Sequence, residues 1–466
     1  MRVLLVRPPS FKMPIVIPNI GLGYLASVLR KNGHLVTILD CAKERMDHKI
    51  FREYLNKKKP DVLGIQTYTC DFSSSKKCVD IAKELNNDTI TVIGGPHPSG
   101  DPVGTMEVFK NSDFAFQGEA ELGLPKLLEY IESENAAKFD SIEGLIYRHG
   151  ARVIVNPRGC LSNLDDIPFP SWDLMDLATY PDAPHGTFSK SLPIAPIITS
   201  RGCPFTCTYC AVSVNTGRNF RMRSVDNVIE EIKYLRKNFG IKEIHIEDDN
   251  FTLVRSRAIE FCERLIYEDI SIDWACTNGV RLDTLDKELL MSMESAGCYS
   301  FSVGIESGSP RIISEMRRSE TLETMIEKTK LVASLTKIRM TGYFMIGYPS
   351  ETKSDIEKTA ELSLKLPLHR AQFSNFLPLP GTEIYDRLLE NKAISPDLIK
   401  WDSFQDNKIV YSPDGVSAKE MRNLMRRAFV KFYFRLPILL GLLKEIHSLS
   451  QFRTVCRRIF DVFSPS

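Results

Sequence analysis

The amino-acid sequence predicts an α/β protein built as a Rossmann-like domain, a partial (βα)6 barrel of TIM type, and a helical C-terminal tail. Three observations predict it. Two series of short apolar runs alternate with amphipathic stretches at helical spacing, the pattern of parallel strands joined by crossover helices. A stretch rich in Pro and Asp separates the two series. The chain of 466 residues is too long for one ordinary core. The expected units are 1–135 for the first domain, 136–193 for a linker with a small hairpin, 194–390 for the barrel and 391–466 for the helical tail.

In the first series, strands are expected at Arg2–Arg7, Leu35–Leu39, Val62–Gln66, Thr91–Gly94 and Phe114–Gln117. Helices are expected between them at Gly21–Arg30, Lys49–Lys57, Ser74–Leu85 and Glu121–Ile131. Five alternations imply a parallel sheet wound on both faces, an architecture that takes nucleotides or cofactors at the carboxyl ends of its strands. Gly144–Tyr147 and Arg152–Val155 flank His149-Gly150 as a hairpin, and Leu161–Pro196 wraps between domains. The second series has strands at Ile194–Thr199, Glu243–Ile246, Ile272–Thr277, Tyr299–Ile305, Arg339–Ile346 and Gln372–Phe376. Helices such as Val225–Phe239, Asp286–Ala296 and Thr352–Leu366 fill the gaps. Reactive groups of such a barrel sit at the C-terminal ends of its strands.

The bulk numbers exclude several classes. A formal net charge of +1 gives no global field for nucleic acid. Eleven cysteines, an odd count with no signal-type segment ahead of them, argue against a secreted disulfide scaffold and for a reducing, cytoplasmic setting. No window reaches the roughly 18 apolar residues of a membrane-spanning helix. The tail is distinct: Lys419–Ser466 carries ten Lys and Arg against three Asp and Glu, with a dense apolar run from Leu436 to Leu443. Such a segment either packs on the barrel with a solvated basic rim, or lies in a membrane interface.

The sharpest signal is Cys203-Pro204-Phe205-Thr206-Cys207-Thr208-Tyr209-Cys210, a C-x3-C-x2-C loop directly after the first strand of the second series. Three thiolates on one short loop can converge on one metal centre, and thiolates suit iron–sulfur clusters or zinc. Zinc wants a fourth ligand near by, yet no His lies between Leu192 and His245. Three ligands fit a cubane with one iron left open. Structural zinc and unrelated core cysteines are the competing readings.

On these residues the chain resembles the radical S-adenosylmethionine (SAM) superfamily over Ile194 to about Thr382. The resemblance implies a [4Fe–4S] cluster on Cys203, Cys207 and Cys210, whose open iron binds the amino and carboxylate groups of SAM. It implies reductive cleavage to a 5′-deoxyadenosyl radical and a low-potential electron donor of flavodoxin or ferredoxin type. Tyr209 matches the aromatic residue whose backbone lies near the adenine. Asp248 and Asp249, in Glu247-Asp248-Asp249-Asn250-Phe251, stand where the family holds the SAM amino group, although this chain has DDNF in place of GGE. Glu306, in Gly304-Ile305-Glu306-Ser307-Gly308, matches residues that bind the methionine or ribose portion. Gly347-Tyr348-Pro349 and Pro378-Leu379-Pro380-Gly381-Thr382 follow the fifth and sixth strands.

The front domain is similar to that of cobalamin-binding radical enzymes. The shared residues are Pro8-Pro9, Gly21 and Gly23 opening the first helix, Gly94-Gly95-Pro96-His97-Pro98, and Gly118-Glu119-Ala120-Glu121. Glycines at strand ends let a bulky cofactor approach backbone, and helix N-termini receive its phosphate. Gly21, Gly23, Gly94, Gly95, His97, Gly118 and Glu119 are therefore the expected cobalamin contacts. The D-x-H-x-x-G pattern is absent and no His precedes His34, so no first-loop His reaches cobalt. Phe11, Met13 or Ile15 are expected at its lower face. Cys41, Cys70, Cys78, Cys262, Cys276, Cys298 and Cys456 are expected as small apolar residues, and Trp172, Trp274 and Trp401 as packing.

The resemblance implies a cobalamin-dependent radical methyltransferase acting on an unactivated carbon of a small-molecule or lipid substrate. The alternative in the same architecture is a radical cyclase or rearrangement enzyme, similar to anaerobic porphyrin-ester cyclases. A non-enzymatic cobalamin-responsive binding module is the reading from another class.

Overall fold

The structure, a computed structural model, describes residues 1–10, 16–181, 189–396, 399–404, 408–446, 451–453 and 455–456. Phe11, Met13 and Ile15 lie outside the described residues.

The first sheet contains β1 (Arg2–Arg7), β2 (Leu35–Asp40), β3 (Val62–Gln66), β4 (Ile90–Gly94), β5 (Phe114–Phe116), β6 (Leu145–His149) and β7 (Arg152–Val155), in the order β2-β1-β3-β4-β5-β6-β7. β1 to β5 run parallel. The hairpin expected in the linker instead adds β6 and β7 antiparallel to β5, so that β5 is not an open edge. Val3, Leu5, Val62 and Val92 face one layer of helices, and Leu4, Val6, Leu63 and Ile93 the other. The period-two alternation of side chains along each strand serves both layers. The order reverses between β1 and β3, and a crevice opens there beyond the strand ends.

The second sheet has six parallel strands in sequence order: Ile194–Ile197, Glu243–Ile246, Asp273–Val280, Cys298–Glu306, Arg339–Ile346 and Arg370–Asn375. Helices including Val225–Phe239, Arg255–Tyr267 and Lys287–Ser295 bury Ile244, Ile246, Trp274, Phe301 and Val303 against its outer face. Local chemistry fixes their ends. Ser224 caps the first of these helices by accepting from Asn227 N, and Gly240 ends it at φ 63°.

The first sheet keeps its own two apolar layers, and the front domain joins the barrel through its first helix. Ile20, Tyr24 and Val28 of the first helix (Ile20–Lys31), Trp172 of the linker and the barrel helices belong to one buried cluster. Trp172 is fully buried and its Nε1 donates to Glu231 Oε1 at 2.9 Å. The linker is thus a packed wedge. Trp274 is also fully buried, as expected for packing. Backbones meet at Gly100, where a Cβ would lie 2.3 Å from the Pro380 carbonyl oxygen.

The tail forms helices Ala418–Tyr433 and Leu436–Glu445. The first packs on the barrel through Met421, Ala428 and Phe432. The second has no buried residue. No described helix is long and apolar enough to cross a membrane.

Candidate functional site

The cysteine loop leaves the first barrel strand through a two-residue ribbon. Ser200–Arg201 pairs antiparallel with Arg221–Met222, with Arg201 opposite Arg221, so the ribbon closes residues 202–220 into one loop. Gly202 starts that loop at φ 88°, where a Cβ would lie 2.4 Å from the Asn219 carbonyl oxygen. Only glycine allows this closure. Cys203 N donates to Gly217 O at 3.2 Å, and Thr208 N donates to Met316 O at 3.1 Å. Thr208 Oγ1 lies 2.9 Å from the Tyr348 hydroxyl. The three cysteines are partly exposed and form no disulfide.

Among the described residues, no group of three or more His, Cys, Asp or Glu could hold a single metal ion. A cubane spreads three thiolates over three irons and leaves one iron open, so the donor set fits a cluster.

The expected neighbours separate into different roles. Asp248 accepts from Thr199 N, Thr199 Oγ1 and Ser200 Oγ at 2.5–2.6 Å, so its carboxylate is saturated by the protein. Asp249 accepts from Gly202 N at 3.2 Å and Thr216 Oγ1 at 3.0 Å, and it lines the cavity described below. Asp248 and Asp249 brace the cysteine loop. Glu306 ends the fourth strand at φ 63°, a left-handed conformation that costs a residue with a side chain. Burial pushes its carboxyl up. The Tyr209 hydroxyl accepts from Arg318 Nη1 at 3.2 Å, and the same guanidinium lies 3.5 Å from Glu306 and donates to Gly304 O at 2.8 Å. Arg318 Nε is buried without a partner among the described residues. No sequence motif marked Arg318. Asn250, next to Asp249, has both side-chain polar atoms buried and unpartnered among the described residues.

A cavity of about 580 Å3 lies between the two sheets. Its front wall is made of strand ends and the loops after them: Arg7, Gln66, Gly94, Gly95, and Gly118 to Glu121. Its other wall contains Arg201, Asn215, Thr216, Glu247, Asp249 and Asn278. Gly21 and Gly94 line it, and a Cβ on either would meet no protein atom nearer than 3.6 Å and 3.9 Å respectively. Gly95 turns at φ 109° and Gly118 at φ 70°. An open, largely apolar crevice with bare backbone on one side suits the close approach of a corrin.

Two expected contacts lie elsewhere. A Cβ at Gly23 would lie 2.7 Å from Met175 and 2.8 Å from Pro170, so this glycine serves the linker. His97 is buried between Phe72 and Trp401, at ring distances of 4.4 Å and 5.0 Å, and is not part of the cavity lining. Its Nδ1 lies 3.2 Å from Thr69 Oγ1, and burial lowers its pKa to about 4. Glu119 lines the cavity, but its carboxylate is held by Arg221 at 2.6 and 2.9 Å. Burial pushes the Glu119 carboxyl up, yet the Arg221 hydrogen bonds and the Arg201 charge outweigh it and hold the group below its ordinary value.

Comparison with known proteins finds two families along the chain. The radical SAM superfamily matches residues 197–363, and the B12 binding domain matches residues 11–128. An uncharacterized methyltransferase of Pyrococcus horikoshii is 32% identical over 453 residues, covering 96% of this chain and 95% of its own. An anaerobic magnesium-protoporphyrin IX monomethyl ester cyclase of Rubrivivax gelatinosus is 26% identical, covering 95% of this chain and 82% of its own. The radical SAM methyltransferase TsrM of Kitasatospora setae, solved with cobalamin and a [4Fe–4S] cluster, shares the fold. Its TM-score is 0.68 at 19% identity over 99% of this chain and 88% of its own. The two family matches carry SAM and cobalamin as the protein's cofactors. The chain belongs to the cobalamin-binding enzymes of the radical SAM superfamily.

Proposed function

We propose that the protein methylates an unactivated carbon of a small-molecule or lipid substrate. The observation that carries this reading is the shared cavity, whose walls come from the front-domain loops and from residues bracing the cysteine loop. When bound, the cofactors supply a hydrogen-abstracting radical and a methyl group. The chain's own residues hold and orient them. Cys203, Cys207 and Cys210 ligate the cluster. Tyr209, Arg318 and Glu306 form one polar, buried edge for SAM, and Asp249 keeps the loop in register. Gly21, Gly94, Gly95 and Gly118 give the corrin its approach to backbone.

The related methyltransferase, similar over nearly its whole length, supports methylation. The cyclase relative supports the second reading. Anaerobic incubation with methyl-labelled SAM separates them: methylation places the label on the product, and cyclisation changes hydrogen or oxygen content without it.

A low-potential flavodoxin or ferredoxin is the expected electron source in a cytoplasmic setting. The tail is read as a peripheral membrane contact. Leu436, Leu440 and Leu443 are 68%, 49% and 62% exposed, and Lys419, Arg422, Arg427 and Lys431 of the preceding helix are exposed too. That arrangement suits an anionic interface and favours a hydrophobic substrate.

A further inference from the structure

Two carboxylates on the front domain and two arginines at the foot of the cysteine loop form one buried cluster. Arg221 donates to Glu119 Oε1 at 2.6 Å and Glu119 Oε2 at 2.9 Å. Its Nη2 also donates to Thr216 O at 2.9 Å, within the loop itself. Arg201 reaches Glu121 at 2.8 Å and Glu119 at 3.5 Å, and its guanidinium lies 5.1 Å from the Tyr24 ring centroid. All four charged side chains are less than a tenth exposed. Arg201 and Arg221 are opposite residues of the ribbon that closes residues 202–220. The front domain therefore grips the cysteine loop at its base, on both chain directions at once.

The same residues are a wall of the cobalamin cavity. Glu119, Glu121, Arg201 and Thr216 all line it. A group filling that cavity lies against the ion pairs at the base of the loop. Thr216 also donates to Asp249, which holds Gly202 N one residue before Cys203. The route from cavity to first cluster ligand is thus continuous: Glu119 to Arg221, Arg221 to Thr216, Thr216 to Asp249, Asp249 to Gly202.

We propose that Glu119, Glu121, Arg201 and Arg221 are positioning residues that couple cobalamin occupancy to the cluster-bearing loop, so that each cofactor's binding favours the other's. No residue of the four is a ligand in this scheme. They transmit a binding preference, and such coupling is reciprocal. The inference rests on cobalamin occupying the cavity.

The test uses full-length protein prepared anaerobically with and without a reconstituted cluster. Hydroxocobalamin affinity is measured by absorbance titration, and the reduced cluster is followed by electron paramagnetic resonance. In the unaltered protein the cluster tightens cobalamin binding by about fivefold or more, the lower end of ordinary coupling, and cobalamin shifts the cluster signal. Glu119→Gln, at unchanged iron content, brings that factor close to one and abolishes the shift. Arg221→Lys keeps the charge and retains part of the factor. Should Glu119→Gln not hold the cluster, Glu121→Gln, which leaves Arg221 its two-point partner, carries the comparison with a reduced factor expected. A Glu119→Gln protein with the full factor, or an unaltered protein whose cobalamin affinity ignores the cluster, overturns the coupling. Failure of the unaltered protein to bind cobalamin at all would instead overturn the assignment of the cavity.

Discussion

The Tyr433 hydroxyl bonds both backbone groups of Ala371, accepting from its N at 3.3 Å and donating to its O at 2.8 Å. Ala371 lies on the last strand of the barrel sheet, which ends the strand order. A side chain of the tail thus supplies what a seventh strand would supply, and blunts the open edge. Tyr433→Phe keeps the ring and loses both bonds. We expect a loss of about 1–2 kcal/mol, read as a lower midpoint in chemical unfolding, with a greater tendency to associate. An unchanged midpoint would show that the edge is closed by other means.

The same relationship decides how a membrane contact of the tail is tested. Cutting the chain before Lys419 would strip the edge as well as the leucines, so point changes are cleaner. Leu439→Glu with Leu440→Glu alters only exposed residues of the second tail helix. The unaltered protein should sediment with anionic vesicles at low salt and release as salt rises. The double variant should stay in solution at both. Equal sedimentation of the two would remove the helix from the contact.

No histidine lines the cofactor cavity among its described residues, and His97 is packed in the front domain's core. The Co(II) form of the bound cobalamin should therefore show no nitrogen superhyperfine splitting from a protein histidine. A splitting lost in His97→Ala or His34→Ala would contradict this placement.

Much of this was legible in the sequence because it is carried by period and spacing. Buried parallel strands such as Val62–Gln66 read as continuous apolar runs, and Glu243–Ile246 and Arg339–Ile346 have the expected bounds. The cysteine loop needed only its own eight residues. The roles of Glu119, Gly23, His97 and Asp248 were not legible, because each is decided by a distant partner. Glu119 meets Arg221 across 102 residues and Gly23 meets Pro170. His97 is covered by Trp401, and Asp248 is consumed by Thr199 and Ser200. A strand-end glycine or acid looks the same whether it faces a cofactor or another domain. The hairpin at 145–155 is legible as a hairpin, but its pairing with β5 depends on a free edge that only the tertiary arrangement reveals.

Burial pushes the Glu351 carboxyl up to about 7, even though its Oε2 accepts from Gly347 N at 2.6 Å and Tyr348 N at 3.2 Å. A raised carboxyl favours the folded state below its unfolded pKa, and that contribution is lost as pH rises through the folded value. Glu351→Gln removes the ionisation and keeps an acceptor for both amides. Its effect on the thermal midpoint should be small near pH 5. It should become stabilising near pH 8, by on the order of 2–3 kcal/mol. A difference independent of pH would mean that Glu351 is ionised throughout.

The central claim is that one loop holds an open-site cubane next to a cobalamin cavity. It is tested most directly by measuring 5′-deoxyadenosine released from SAM by the anaerobically reconstituted full-length protein under a low-potential reductant. The account predicts release from protein carrying about four irons and four sulfides, and none from Cys203→Ala, Cys207→Ala or Cys210→Ala. A triple variant that still holds an intact cluster, or a fully loaded protein that leaves SAM uncleaved, would contradict it.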